Sequence, residues 1–270
     1  MLGEQLQALA RQDITDPWEL LIVDNGIIGD LSPLLARFST AIPRLRVITA
    51  DQRPGRSYAL NQAIQQAHSS RLITLDSDDV VNSTYLSAMN DALSQHEFVG
   101  ARMDSTTLNP KWLRGRRKPL QSARLDMLLG HRPAVIGAGM AFTRSAFERV
   151  SGFDEDMIAL EDLDISLRMQ QAGIHPVFAP TAVVQYRYRG GYLAIFRQER
   201  SYSRHEVLLY HKHQGVLAPR RLRRTIQGWV DVLVAATGIS TRTGRAQLAT
   251  SLGAAVGRVE GSVRYGIRHL

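Results

Sequence analysis

Cysteine is absent from the 270 residues, which excludes disulfide scaffolds, thiolate catalysis and cysteine-ligated zinc or iron–sulfur sites. Lysine is nearly absent too: Lys111, Lys118 and Lys212 are three of 33 basic residues, and arginine supplies the rest. That bias reads as the mark of a GC-rich genome rather than a choice of bidentate chemistry. No apolar run approaches the ~18–20 residues needed to span a bilayer. Met1 to Arg11 carries Glu4 and lacks the apolar segment of a signal peptide, so the expected setting is the cytoplasm. Hydrophobic residues at 44% and charged residues at 21% are ordinary globular composition.

What is present is a charge asymmetry. Residues 1–110 hold 8 basic and 13 acidic side chains, and residues 111–270 hold 25 and 12, so the formal +8 is the difference between −5 and +13. A basic balance suits nucleic acid, an anionic membrane or a phosphorylated substrate, and does not choose among them.

Along the first half, β-branched runs alternate with helical stretches. Strands are predicted over 19–24, 45–49, 71–76 and 98–103, and helices over 30–38, 57–67 and 83–95, the last capped by Asn82 or Ser83. Such alternation implies an α/β fold with a mixed, mostly parallel sheet flanked by helices. Ligands on these sheets bind beyond the carboxyl ends of the strands, where Asp24 and Asp76 fall. The stretch 109–133 is irregular and basic, and 134–142 is apolar and glycine-rich. A short helix follows over 145–150. An amphipathic helix over 161–172 carries Leu163, Leu167 and Met169 on or near one face and is stopped by Gly173. Short strands are expected at 177–179 and 183–186. Next comes a helix over 192–213, in which His205, His211 and His213 read as solvent-facing. The expected division is a domain over 1–215 and a basic helical extension over 216–270.

Two carboxylate groups stand out. Leu75–Asp76–Ser77–Asp78–Asp79 closes an apolar strand with three carboxylates that repel one another unless cations compensate. Their hard oxygens suit Mg²⁺ or Mn²⁺, although an acidic turn that caps the next helix has the same composition. Glu161–Asp162 opens a helix, a place where the helix dipole favours acids whatever their function.

The series VDNG at 23–26, RPGRSYALNQAI at 53–64, LITLDSDD at 72–79 and GFDEDMIALEDLDISLRMQQAG at 152–173 resembles family 2 glycosyltransferases of the GT-A fold, over roughly residues 15–215. The resemblance implies metal-assisted, inverting transfer from a nucleotide-diphosphate sugar to a saccharide or lipid-linked hydroxyl acceptor. It implies that Asp24 binds the nucleotide base and that Gly55 lets a loop approach the nucleotide. Asp76 then contacts the ribose or the metal, Asp78 is the principal metal ligand, and Asp79 supports it. Asp162 becomes the general base, held in place by Glu161. Arg53, Arg56 or the Lys111–Lys118 loop would bind phosphates or cover the donor, unless they are solvated charges.

Two departures follow from the same comparison. The family's usual first strand is missing, because Met1 falls in the helix that should come after it. A histidine often found late in the family near the metal or diphosphate is replaced by Gln185 or Tyr186. The missing strand leaves open a non-catalytic partner that keeps the fold. A nucleic-acid-binding protein suits the charge, but no recognisable module accompanies it and the acidic half would repel phosphates. Gly137–Ala138–Gly139 lacks the third glycine of a dinucleotide fingerprint and falls on the acceptor side of the resemblance. In the tail, 219–270, Arg220, Arg221, Arg223 and Arg224 precede an apolar stretch. That pattern suits either an anionic membrane surface, at the inner face of the plasma membrane with lipid-linked or cell-envelope acceptors, or an ordinary packed helix.

Overall fold

The computed structural model describes residues 1–26, 29–42, 44–128, 132–217 and 222–267. In chain order its elements begin with α1 (Leu2–Leu9), β1 (Leu20–Asp24), α2 (Ser32–Ala36), β2 (Leu45–Thr49), α3 (Arg56–Gln66) and β3 (Arg71–Leu75). They continue with β4 (Val80–Val81), α4 (Tyr85–Gln95), β5 (Phe98–Asp104), α5 (Lys111–Arg114), β6 (Asp126–Leu128), β7 (Arg132–Ala134) and β8 (Gly139–Thr143). The last are α6 (Arg144–Arg149), α7 (Glu161–Gln171), β9 (Val177–Gln185), α8 (Tyr192–Lys212), α9 (Leu222–Thr237) and α10 (Arg242–Tyr265). Among the described residues no helix is long and apolar enough to cross a membrane.

Two compact units result, one of Met1–Thr107 with Leu120–Arg187, the other of Leu108–Pro119 with Tyr188–Leu270. The division falls ahead of α8, whereas the sequence pattern puts a boundary at 215/216. In the first unit β1 and β2 pair in parallel, and a five-stranded sheet runs in the order β3-β8-β5-β9-β4. The sheet is mixed, but less parallel than the strand–helix alternation suggests. Strand β8 turns back between β3 and β5 and pairs antiparallel with both, and only β5–β9 of the larger sheet's described pairings is parallel. Strands β5 and β8 are buried almost throughout, as apolar runs with neighbours on both faces should be. The two short strands expected near 180 are one, β9, bent by a register shift opposite Ala101 and Arg102.

Side-chain packing fixes the segment that leads to α7. Phe142 of β8 stacks on Phe147 of α6 at 5.1 Å, and Phe153 meets both edge-on at 6.0 and 5.6 Å. Asn61 of α3 ties the same segment down, donating to the Phe153 carbonyl at 2.9 Å and accepting from its amide at 3.0 Å. Asn82 does not cap α4. Its side chain instead joins β9, accepting from the Val183 amide at 2.9 Å, and the N-cap position falls to Thr84.

In the second unit α8 and α10 lie against each other through glycines four residues apart. A β-carbon at Gly253 would sit 2.5 Å from the Phe196 carbonyl oxygen, one at Gly261 would sit 2.8 Å from that of Arg204, and one at Gly257 would collide with that of Arg200. This contact buries His205, whose Nδ1 lies 2.8 Å from the Ser201 carbonyl, and His213 is buried as well. Only His211 keeps the exposed position expected of all three. Arg116 of the 108–119 segment is also interior, paired with Glu199 at 2.8 Å and stacked on Tyr188 at 5.0 Å.

Gly257→Ala separates packing from propensity. In an open helix the change stabilises by ~1 kcal/mol, whereas overpacking against rigid backbone costs ~1–3 kcal/mol. Urea unfolding should therefore show a net loss of stability. A gain would mean that α8 stands farther from α10.

Candidate active site

The carboxyl end of β1 presents Asp24 and then Asn25. Asp24 accepts the Gly26 amide at 3.0 Å, a tight turn in which Gly26 has φ +79°. Asn25 is a residue that sequence reasoning missed. Its side-chain amide donates to the Ala50 carbonyl and, at 2.8 Å, to that of Arg53, while its oxygen accepts the Gly55 amide at 2.8 Å. One neutral side chain thus pins the loop after β2 to the end of β1. Gly55 takes φ +127°, a conformation closed to residues with a β-carbon, and this turn starts α3 at Arg56. Its signal in the sequence was the asparagine of VDNG beside a glycine-containing loop.

Beyond β3, Asp76, Asp78 and Asp79 each offer a carboxylate oxygen, all within 4.8 Å of one another. Asp79 is the buried member. Its Oδ1 accepts the Arg187 amide at 2.7 Å, and its Oδ2 is buried with no hydrogen-bond partner. Burial, reinforced by Asp76 and Asp78, pushes its carboxyl up to about 8 against the Arg187 hydrogen bond. Arg187 is the second missed residue. Its Nε donates to the Asp78 carbonyl at 2.8 Å and its Nη2 to Glu4 of α1 at 2.9 Å. Gln185 pairs with Val80 in the sheet and Tyr186 donates its amide to Asp104, so the residue that reaches the aspartate loop comes just after the two expected there.

Helix α7 begins after Leu160, a non-glycine residue in the left-handed region at φ +61°, ψ +24°. That conformation costs roughly 1–2 kcal/mol, and such outliers cluster at functional sites. It sets Glu161 and Asp162 at the helix start. Asp162 is held by two amides: Gly137 donates to its Oδ2 at 2.9 Å and Leu163 to its Oδ1 at 2.9 Å. Glu161 turns instead to Arg56, accepting from Nη1 at 2.7 Å. The expectation that Glu161 holds Asp162 is thus replaced by backbone donors, because Gly137 lies against the carboxylate. Burial, and then the charge of Glu161, raise the Asp162 carboxyl above the usual range, although Gly137 and Arg56 oppose them.

Arg56 joins the two carboxylate groups. Besides Glu161 it meets Asp76 at 3.0 Å and donates to the Gly137 carbonyl at 2.9 Å. Burial opposes its charge, but Asp76, Glu161 and Asp162 outweigh that and raise its pKa. Arg53 pairs with Glu155 at 2.6 Å. The basic 111–118 segment belongs to the second unit, where Arg116 and Arg117 face Glu199.

Two carboxyls raised in the folded state bind protons more firmly than the unfolded chain does. Their contribution to stability is therefore full below the unfolded value of 3.8 and is lost as pH rises through the raised value, about 8 for Asp79. In chelator, the melting temperature should fall between about pH 5 and about pH 9, and fall less steeply in Asp79→Asn. Parallel curves for the two proteins would remove Asp79 as a source of the slope.

Residues 1–151 match the model of glycosyl transferase family 2. That span contains Asp24, Gly55, Asp76, Asp78 and Asp79 and stops short of Glu161 and Asp162. Glycosyltransferase AglE of Haloferax volcanii is 24% identical over 164 residues, which are 60% of this chain and 54% of AglE, so the chain spans about half the length of that relative. Among solved structures, mannosyltransferase PcManGT from Pyrobaculum calidifontis, in complex with GDP-Man and Mn²⁺, superposes with a TM-score of 0.64 at 17% identity over 96% of this chain and 82% of that one. TarS 1–349 of S. aureus, in complex with UDP-GlcNAc, gives 0.51 at 16% over 98% and 88%. GalNAc-T7 with UDP, GalNAc and Mn²⁺ gives 0.52 at 14% over 83% and 45%. With the fold shared and more than half of the chain matched, the protein belongs to glycosyl transferase family 2, in the GT-A fold.

Proposed function

We propose that the site transfers a sugar, with inversion, from a nucleotide-diphosphate sugar to a hydroxyl acceptor, with Asp162 as the base. The observation that carries this reading is the double contact of Arg56. One guanidinium touches Asp76 of the aspartate cluster and Glu161 of the acidic pair, so the two carboxylate groups meet at one cation. Support comes from the neighbouring structures, solved with GDP-Man and Mn²⁺ or with UDP-GlcNAc.

The chemistry follows from the residues. Asp24 and the loop pinned by Asn25 receive the nucleotide, and Gly55 leaves room for its approach. The acceptor oxygen attacks the anomeric carbon as the bond from that carbon to the diphosphate breaks, and the acceptor proton passes to Asp162. A carboxyl held above its ordinary range suits that duty near neutral pH. Arg56 neutralises Asp76 and Glu161 and so keeps their charge from accumulating around the base. The cluster fits Mg²⁺ or Mn²⁺, since three hard oxygens lie within 4.8 Å and Asp79 Oδ2 is buried without a partner. Asp78 would be the principal ligand with Asp76 and Asp79 beside it, and the ion, when bound, supplies Lewis-acid neutralisation of the diphosphate leaving group. The acceptor class we favour is a saccharide or lipid-linked hydroxyl used in the cell envelope, met on the cytoplasmic side.

Incubation with a panel of UDP- and GDP-sugars and Mn²⁺, followed by NMR of the product's anomeric configuration, tests the reaction. Asp162→Asn should bind donor as the wild type does and turn over ~10²–10⁴-fold more slowly. Asp78→Ala should lose metal-dependent donor binding. Equal turnover in Asp162→Asn would remove the base assignment, and retention of configuration would remove the mechanism.

A further inference from the structure

Helix α9 is built the wrong way round for a helix packed only within its own unit. The side it buries is small: among its described side chains, Gly228 and Ala235, two turns apart, are the buried ones, and Asp231 between them is bonded to Gln227 at 2.9 Å. Its large apolar residues point the other way. Ile226 is 56% exposed, Trp229 45%, Val230 40%, Leu233 70% and Val234 63%. Spaced at i, i+3, i+4, i+7 and i+8, they form one continuous stripe. Scattered exposed apolar residues need no explanation, but a contiguous face of five marks a surface that something covers.

We propose that this face of α9 docks on an anionic bilayer surface. Charge selects that occupant. The unit containing α9 carries 19 arginine and lysine residues against 4 acidic ones, a net of +15. A second copy would bring the same charge to the interface and be repelled, whereas anionic headgroups are attracted. Of the basic run at 220–224, Arg220 and Arg221 lie outside the described residues. The run counts here through its charge alone. Trp229 within the stripe is the residue type that favours the boundary between headgroups and acyl chains. An apolar stripe, a small inner face and a strongly basic unit describe a helix lying in the interface plane, not one that spans it. The inference stands independently of the glycosyl transfer reading.

The test is co-sedimentation of the full chain with vesicles of phosphatidylcholine alone or mixed equally with phosphatidylglycerol, at low and high salt. The expected result is binding to the mixed vesicles that weakens with salt, and at least about tenfold weaker binding for the double variant Leu233→Ser, Val234→Ser. These side chains are exposed, so the melting temperature should hold. Trp229→Ser provides a second reading should the double variant unfold. Three results overturn the proposal: no binding to phosphatidylglycerol vesicles, variants that bind as well as the wild type, or a wild-type dimer in ultracentrifugation that the substitutions split into monomers.

Discussion

Three aspartates and an acidic pair are crowded together, with Arg56 reaching both groups, and much of the first unit is arranged to make that tolerable. Carboxylates this close, partly out of water, repel strongly. Arg56 reaches both groups because its planar fork donates in several directions at once, which a lysine cannot match. To place it, three backbone features must agree. Gly55 turns the chain into α3 at Arg56 itself, β3 ends one residue before Asp76, and Leu160 accepts a left-handed conformation so that α7 can begin with Glu161. The remaining imbalance shows as raised carboxyls at Asp79 and Asp162.

The site was legible in the sequence where chemistry and local structure coincide. Asp24 and Asp76 stand at or just after strand ends that the β-branched runs announce, and β2 spans the predicted 45–49. The acid-rich helix start at Glu161 and the stop at Gly173 follow local rules, and both hold. What could not be read is non-local. The insertion of β8 between β3 and β5 is a choice of partner that no period records. Arg187 lies 108 residues from the aspartate it binds, and nothing near it marks that destination.

The buried histidines make the same point from the opposite direction. A helix with scattered histidines and arginines reads as solvated, and α8 would be, but for glycines on α10 that admit its backbone. Gly253, Gly257 and Gly261 look like poor helix formers when read singly. Their spacing of four is what turns them into a contact surface. The charge asymmetry was similarly real but misplaced by the cut at 110/111. Divided by compact unit, the chain is a net −7 body holding the candidate site and a net +15 body holding α8, α9 and α10.

Asn25 has a consequence for how the site responds to its surroundings. Arg56 holds Asp76 and Glu161 by charge, so protons and salt act on that side. The loop at 51–55 has the Arg53–Glu155 ion pair and, beside it, the uncharged amide of Asn25 bonded to backbone groups, which neither agent titrates. A change of conditions that weakens these ion pairs leaves the Asn25 hydrogen bonds, and with them the turn at Gly55 that opens α3, in place.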